Sequence, residues 1–284
     1  MHNKKADIEN QMDSQPESYP DEKIRMFPMF QFRYNMRCYF AEYFGCTVTL
    51  LFGNSIIANV AFNHDLESEY WILIALGWCF AFTMGLYVSM GNSGGHLNPA
   101  VTIAFAVFGK FSWKKVPGYI IAQVLGCFTG SALAYAIWRS RFDPFDGGKR
   151  QTTGEFATAF IFANYPMPTN TVWDNFFTEV VATALLLFVV LGMFDHRMTP
   201  AKGFEPIAVG FLIFIITLCF GKTSGSSINP ARDLGPRLFT AIAGWGSEPF
   251  TASNYFFWIP TVGPICGAIL GTGLYEFFII PNSE

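Results

Sequence analysis

The chain has 284 residues, of which 51% are hydrophobic and only 14% charged, with a formal net charge of -3. Soluble domains carry about a quarter charged residues, so this composition excludes an intrinsically disordered chain, a collagen-like repeat and a disulfide-rich secreted scaffold. The small net charge gives no support for a nucleic-acid partner, and the 32 Phe and 7 Trp exceed what one water-soluble core buries. A polytopic membrane protein is the expected class.

Residues 1–36 read as a flexible cytoplasmic tail. The stretch is polar and mixed in charge, with Pro16, Pro20 and Pro28 and with Ser14 and Ser18 open to phosphorylation; it has no apolar core before a cleavage site, so it is not a signal peptide. A membrane helix needs about 20 mainly apolar residues, and six stretches qualify: 38–61, 70–90, 113–138, 173–194, 204–221 and 254–280. Two shorter apolar pieces, 98–109 and 229–240, would each reach about 18 Å as helices, half a bilayer. Flanked by spans, they are expected to be re-entrant half-helices. The six cysteines all fall within or beside apolar runs with no CxxC pair, and read as small buried hydrophobes rather than metal ligands or disulfides.

Lys and Arg placement sets the expected orientation. Lys23, Arg25, Arg33 and Arg37 precede the first span; Lys110, Lys114 and Lys115 follow the first half-helix; Arg197 and Lys202 follow the fourth span. The first loop, with Asp65, Glu67 and Glu69, has no Lys or Arg. Both termini are therefore expected in the cytoplasm. Loop 139–172 would then hold Arg139, Arg141, Lys149 and Arg150 outside, which the weaker charge dependence of long loops allows.

The two halves of the chain repeat. Glu42, early in the first span, recurs as Glu179 in the fourth, 137 residues on; Gly126 and Gly130 recur as Gly263 and Gly267 at the same interval. Asn98-Pro99-Ala100 recurs as Asn229-Pro230-Ala231, 131 residues on. Three spans per half is an odd number, so the second half must be inverted and its half-helix must enter from the opposite face. In each motif Asn sits at the N-cap and Pro at the first helical position, where its missing N–H costs nothing. The two half-helices would meet N-terminus to N-terminus near the midplane, where their dipoles and the amides of Asn98 and Asn229 repel cations and offer donors to a neutral oxygen.

From Arg37 to Ile280, with His96 to Thr102 and Asn229 to Asp233 at its centre, the chain resembles the major intrinsic proteins, the aquaporin and glycerol-facilitator family. Asp233 directly after Arg232, Arg237 four residues later, Pro260 in the last span and the long loop 139–172 resemble its glycerol-conducting branch, the aquaglyceroporins. The resemblance implies an all-α membrane fold of six transmembrane helices and two half-helices in an inverted repeat, assembled as a homotetramer with one pore per subunit. It implies a channel domain over 37–281, with halves 37–138 and 173–281 joined by the loop. It also implies a selectivity filter whose four positions fall on Trp78, Thr217, Ser226 and Arg232, Trp78 lying 20 residues before Asn98. Two of the four depart from the glycerol-facilitator pattern, which has Gly where Thr217 falls and an aromatic where Ser226 falls. Water-only members have His at the Thr217 position, so the set matches neither filter.

The remaining polar residues read as supports. Glu42 and Glu179 are expected to accept backbone N–H groups of the re-entrant loops, Asp233 to steady its loop, and His96 to be a buried hydrogen-bonding or pore-edge residue rather than a metal ligand. The glycines of the third and sixth spans read as close helix contacts. No catalytic constellation, cofactor motif or metal set is present, so an enzyme is not expected. The expected function is a passive channel for water, glycerol and other small neutral solutes in a lipid bilayer, the plasma membrane. The competing readings are a water-selective or otherwise restricted channel, a coupled secondary transporter, which would need a titratable group at the midplane, and a closed structural membrane protein.

Overall fold

The structure is a computed structural model that describes residues 29–63 and 68–280. Ser14, Ser18, Lys23, Arg25, Asp65 and Glu67 lie outside the described residues. Five long helices are α1 (Phe30–Asn63), α2 (Ser68–Ser93), α4 (Val116–Asp146), α5 (Val172–Phe194) and α6 (Glu205–Ser224). Two short ones, α3 (Pro99–Val107) and α7 (Pro230–Thr240), are 9 and 11 residues long, about 14 and 16 Å. A short α8 (Glu248–Tyr255) leads into α9 (Ile259–Leu274), and together with the turn to Ile279 they make a sixth segment long and apolar enough to cross a membrane. Among the described residues there is no strand.

The packing follows the repeat and crosses it. Within the first half α1 lies against α2 and α4, and within the second α5 lies against α6 and α9. Each half-helix, however, packs on the third span of the other half: α3 on α9, and α7 on α4. This exchange locks the halves together, and brings the starts of α3 and α7 into contact. Glycines set the helix spacing. A Cβ at Gly126 would run into the Tyr43 carbonyl, and one at Gly267 into the Val180 carbonyl, so the repeat-related pairs α1–α4 and α5–α9 approach backbone to backbone.

Two boundaries and the cysteine burial differ from the sequence reading. First, α1 starts at Phe30, within the stretch read as tail: side-chain pairs one turn apart, Gln31 Nε2 to Asn35 Oδ1 (3.0 Å) and Arg37 Nη1 to the Tyr34 carbonyl (2.7 Å), support a polar first turn. Second, α4 runs to Asp146 before Gly147 ends it with a left-handed φ of 66°. Arg139 pairs with Asp143 and Arg150 with Asp146, each at 2.8 Å, so the charges placed in loop 139–172 are partly neutralised on the helix itself. Third, Cys46, Cys79 and Cys127 are buried as expected, but Cys219 and Cys266 face outward. Cys38 is half-buried, so only three of the six are core residues.

The close contacts predict the cost of filling them. Gly267→Ala should push α5 from α9 and destabilise the fold by about 1–3 kcal/mol, read as a fall of several degrees in the melting temperature of the detergent-solubilised protein. Gly147→Ala, with open space around its Cβ but a left-handed backbone, should cost only about 1 kcal/mol.

Candidate functional site

Two loops leave helical geometry inside the bundle, and each is held by one buried carboxylate. Glu42, fully buried on α1, accepts from Ser93 Oγ (2.6 Å), His96 N (3.0 Å), Leu97 N (2.7 Å) and Gln123 Nε2 (2.7 Å). Glu179, fully buried on α5, accepts from Ser224 Oγ (2.6 Å), Ser227 N (2.8 Å) and Ile228 N (2.8 Å). Backbone donors at membrane depth have no water to fall back on, so these acceptors are what make the loops possible. The loops need them for shape as well. Leu97 and Ile228 both have left-handed backbones, with φ of 49° and 45°, a conformation that a β-branched residue such as Ile228 rarely adopts.

That strained turn aims two carbonyls at the opposite half. Asn98 Nδ2 donates to the Ile228 carbonyl and Asn229 Nδ2 to the Leu97 carbonyl, both at 2.8 Å. The side-chain oxygens cap the half-helices: Asn98 Oδ1 accepts from Ala100 N (2.8 Å), and Asn229 Oδ1 from Ala231 N (3.0 Å) and Arg232 N (3.3 Å). Pro99 and Pro230 occupy the first helical positions. Each Asn amide has two N–H groups and uses one across the interface, leaving one for another acceptor. His96 lies beside this centre, with Nδ1 3.0 Å from Thr102 Oγ1 and its ring packed against Phe105, Phe111 and Tyr119. It is a hydrogen-bonded aromatic neighbour at the cavity edge.

Two cavities approach the centre from opposite ends. The first, about 1070 Å³, is walled by Trp78, Thr217, Ser226 and Arg232 together with loop residues Asn164 and Tyr165. The second, about 1010 Å³, opens on the side where α1 begins and is walled by Asn98, His96 and Val101. Phe82 and Ile213 line both. Each stands 16 residues before its motif Asn, so the waist is made by repeat-related side chains that the sequence reading did not single out.

All four filter positions therefore meet in one cavity. The Arg232 guanidinium carbon lies 4.6 Å from the centre of the Trp78 ring, and Nη1 donates to the Phe162 carbonyl at 3.1 Å. Trp78 fits because Gly53 leaves room: a Cβ there would stand 2.5 Å from the ring. The Thr217 carbonyl accepts from Trp71 Nε1 (3.1 Å), and the Ser226 hydroxyl is buried with no protein partner among the described residues. Asp233 does not neutralise Arg232. Its carboxylate pairs with Arg237 at 2.7 and 3.0 Å and accepts from Asn164 N at 2.8 Å. Arg237, 1% exposed, also donates to the Asn164 carbonyl (2.6 Å) and to that of Pro249. The pair thus clamps the loop that carries Phe162, the Arg232 acceptor. In that loop, burial raises the Tyr165 hydroxyl above its ordinary range, and the hydroxyl has no hydrogen-bond partner among the described residues.

Trp71, Phe162, Asn164 and the clamping role of Arg237 escaped the sequence reading. The four-residue spacing of Asp233 and Arg237 on α7 was the signal for the last; backbone acceptors leave none.

Comparison with known proteins comes to the same place. Residues 29–275 match the family described as Major intrinsic protein. The chain is 47% identical over 249 residues to Aquaglyceroporin-3 of Trypanosoma brucei brucei, covering 88% of this chain and 81% of that one. It is 45% identical over 240 residues to Aquaporin-9 of Rattus norvegicus, covering 84% and 81%. The X-ray structure of the aquaglyceroporin from Plasmodium falciparum superimposes with a TM-score of 0.78 at 31% identity, over 86% of this chain and 96% of that one.

Breaking the clamp should be costly. Asp233→Asn leaves the Arg237 guanidinium buried without its carboxylate, a loss of about 3–5 kcal/mol that should show as a large drop in thermal stability. The double change with Arg237→Met removes the orphaned charge and should recover part of the loss. Additive destabilisation in the double variant would contradict the pairing.

Proposed function

The chain belongs to the major intrinsic protein family, and from that premise we propose that Trp78, Thr217, Ser226 and Arg232 are the filter through which it selects solutes. The protein is an integral, multi-pass membrane channel that passes water and glycerol down their gradients. The observation that carries the filter is the meeting of these four side chains around one cavity, with Arg232 held over the Trp78 ring.

The chemistry follows from those contacts. A polyol has a hydroxylated edge and a carbon edge. Arg232 and the Ser226 hydroxyl offer hydrogen bonds on one side, and the Trp78 ring offers an apolar face on the other. Deeper in, the spare N–H groups of Asn98 and Asn229 donate to the oxygen passing between them, while Phe82 and Ile213 keep the waist apolar. Cations meet the Arg232 charge and the positive ends of α3 and α7. Protons are excluded because a water held by both Asn amides donates outward in both directions, which breaks the chain of like-oriented hydrogen bonds. Thr217 narrows the filter where the glycerol-conducting pattern has Gly, and Ser226 widens it where that pattern has an aromatic. The resulting aperture takes water and short polyols. Asn98-Pro99-Ala100 and Asn229-Pro230-Ala231 are the midplane motifs, and Glu42, Glu179, His96 and Asp233 support them.

The cavity near α1's start faces the cytoplasm, and the filter cavity faces outward. Arg37, Lys110 and Lys115 line the former, as the bias of cationic residues toward the cytoplasm requires. The channel domain takes in all of α1 from Phe30, ahead of the residue 37 expected from the sequence, and the protein sits in the plasma membrane as a homotetramer. Outward-facing Phe44, Phe52, Phe177 and Phe211 are available to lipid and to neighbouring copies.

Stopped-flow light scattering on liposomes carrying the purified protein tests the assignment. Water efflux and glycerol-dependent reswelling should both exceed those of empty liposomes. Thr217→Gly should raise glycerol permeability severalfold with little change in water. Arg232→Ala should let a monovalent-cation leak appear without abolishing water flux. Reswelling no faster than in empty liposomes would remove glycerol as a solute, and unchanged selectivity in both variants would remove the four residues as the filter.

A further inference from the structure

Helix α2 gives the filter cavity more than Trp78. Trp71, Ile74, Trp78 and Phe82 all wall it, at spacings of three, four and four residues, which put them on one helix face. Trp71 stands two turns, about 10 Å, from Trp78, on the side away from the waist residue Phe82.

Trp71 is seated in the same way as Trp78. Trp78 occupies a slot left by Gly53 on α1, and Trp71 a slot left by Gly221 on α6, where a Cβ would run into its ring. Its Nε1 donates to the Thr217 carbonyl at 3.1 Å, and Lys222 Nζ lies over the ring, 6.0 Å from its centre. A cation at that distance is drawn to the face of an indole. Thr217, Gly221 and Lys222, which hold the ring at its nitrogen, its edge and its face, wall the same cavity.

The repeat does not demand this ring. The residues 131 places after Trp71, Ile74, Trp78 and Phe82 are Lys202, Glu205, Val209 and Ile213. Val209 and Ile213 line the second cavity, whereas Lys202 precedes α6, which begins at Glu205. The paired tryptophans belong to the filter end and not to the shared frame.

A linear polyol in the filter lays its carbon edge on Trp78. The longer its carbon chain, the more of it trails along α2, over Ile74 and toward Trp71. We propose that Trp71 is a further specificity-determining residue, which extends the apolar wall outward and favours linear polyols more strongly as their carbon chain lengthens. The proposal rests on the channel reading and on Trp78 as a filter wall, and adds a residue that the four filter positions do not include.

Reswelling of liposomes in glycerol and in erythritol, which is one carbon longer, gives a permeability ratio that does not depend on how many channels are present. Two substitutions separate the ring from its hydrogen bond. Trp71→Gln keeps an N–H donor for the Thr217 carbonyl and removes the ring, whereas Trp71→Phe keeps a ring and removes the donor. The erythritol-to-glycerol ratio should fall about fourfold in Trp71→Gln, the factor for one CH2 group leaving an apolar surface, and by less than about twofold in Trp71→Phe. An unchanged or raised ratio in Trp71→Gln, an equal fall in both variants, or a fall in Trp71→Phe alone overturns the role of the ring. Erythritol flux through the wild type no greater than that of empty liposomes overturns it as well. Should Trp71→Gln carry no water, Trp71→Ala, which leaves the slot empty, is read in its place by the same criterion. Water and glycerol flux absent from every form would instead overturn the channel reading itself.

Discussion

The structure depends on finding acceptors for a few backbone N–H groups where there is no water. Two stretches of chain stop being helical in the middle of the bundle, and two carboxylates, Glu42 and Glu179, take up the donors this exposes. Everything at the centre follows from that. With His96–Leu97 and Ser227–Ile228 tied to the spans, the Leu97 and Ile228 carbonyls are turned toward the other half, and each receives the amide of the opposite Asn. A carboxylate has lone pairs for about four donors, which is why one residue per loop is enough. The cost of burying such a group falls sharply once hydrogen bonds replace its water; Glu42 receives four such bonds and Glu179 three.

The two halves use the same frame for different ends. In the first, the fourth donor to Glu42 is Gln123, which also donates to Thr102. The residue 137 places after Gln123 is Pro260, and the residue 131 places after Thr102 is Asp233, so the second half cannot repeat that network. Val101 corresponds in the same way to Arg232. The second half therefore places a cation and an anion where the first has an apolar side chain and a hydroxyl. The symmetric parts of the repeat build the centre and the waist, and the departures from symmetry build the end that holds the proposed filter.

Much of this was legible in the chain. Asn-Pro at the start of two half-length apolar runs specifies a capped helix start wherever it occurs, and two at matching places in an inverted repeat must converge. Paired glutamates at a fixed interval read as shared structure because a proton carrier has no reason to be duplicated. The helix ends were less legible. The polar first turn of α1 and the last two turns of α4 are stabilised by side-chain pairs such as Arg139–Asp143, and hydropathy is blind to those. Least legible was the loop between α4 and α5. Its part in the site is played by main-chain carbonyls and amides of Phe162 and Asn164, and a backbone atom has no residue type to read.

That loop is also why the charge of the proposed filter residue Arg232 stays available. An arginine buried beside an aspartate would ordinarily be expected to pair with it, and a paired Arg232 would present a neutral surface to solute. Arg237 prevents this by occupying both oxygens of Asp233 from one turn further along α7. The same Arg237 and Asp233 grip Asn164 from its carbonyl and its amide, which fixes Phe162 two residues earlier as the acceptor for Arg232 Nη1. Arg232 is thereby oriented by a neutral carbonyl, which restrains the guanidinium without cancelling its charge. Orientation and charge have to be supplied by different partners for a cationic filter to bind hydroxyls and still repel cations, and the Asp233–Arg237 clamp separates the two roles.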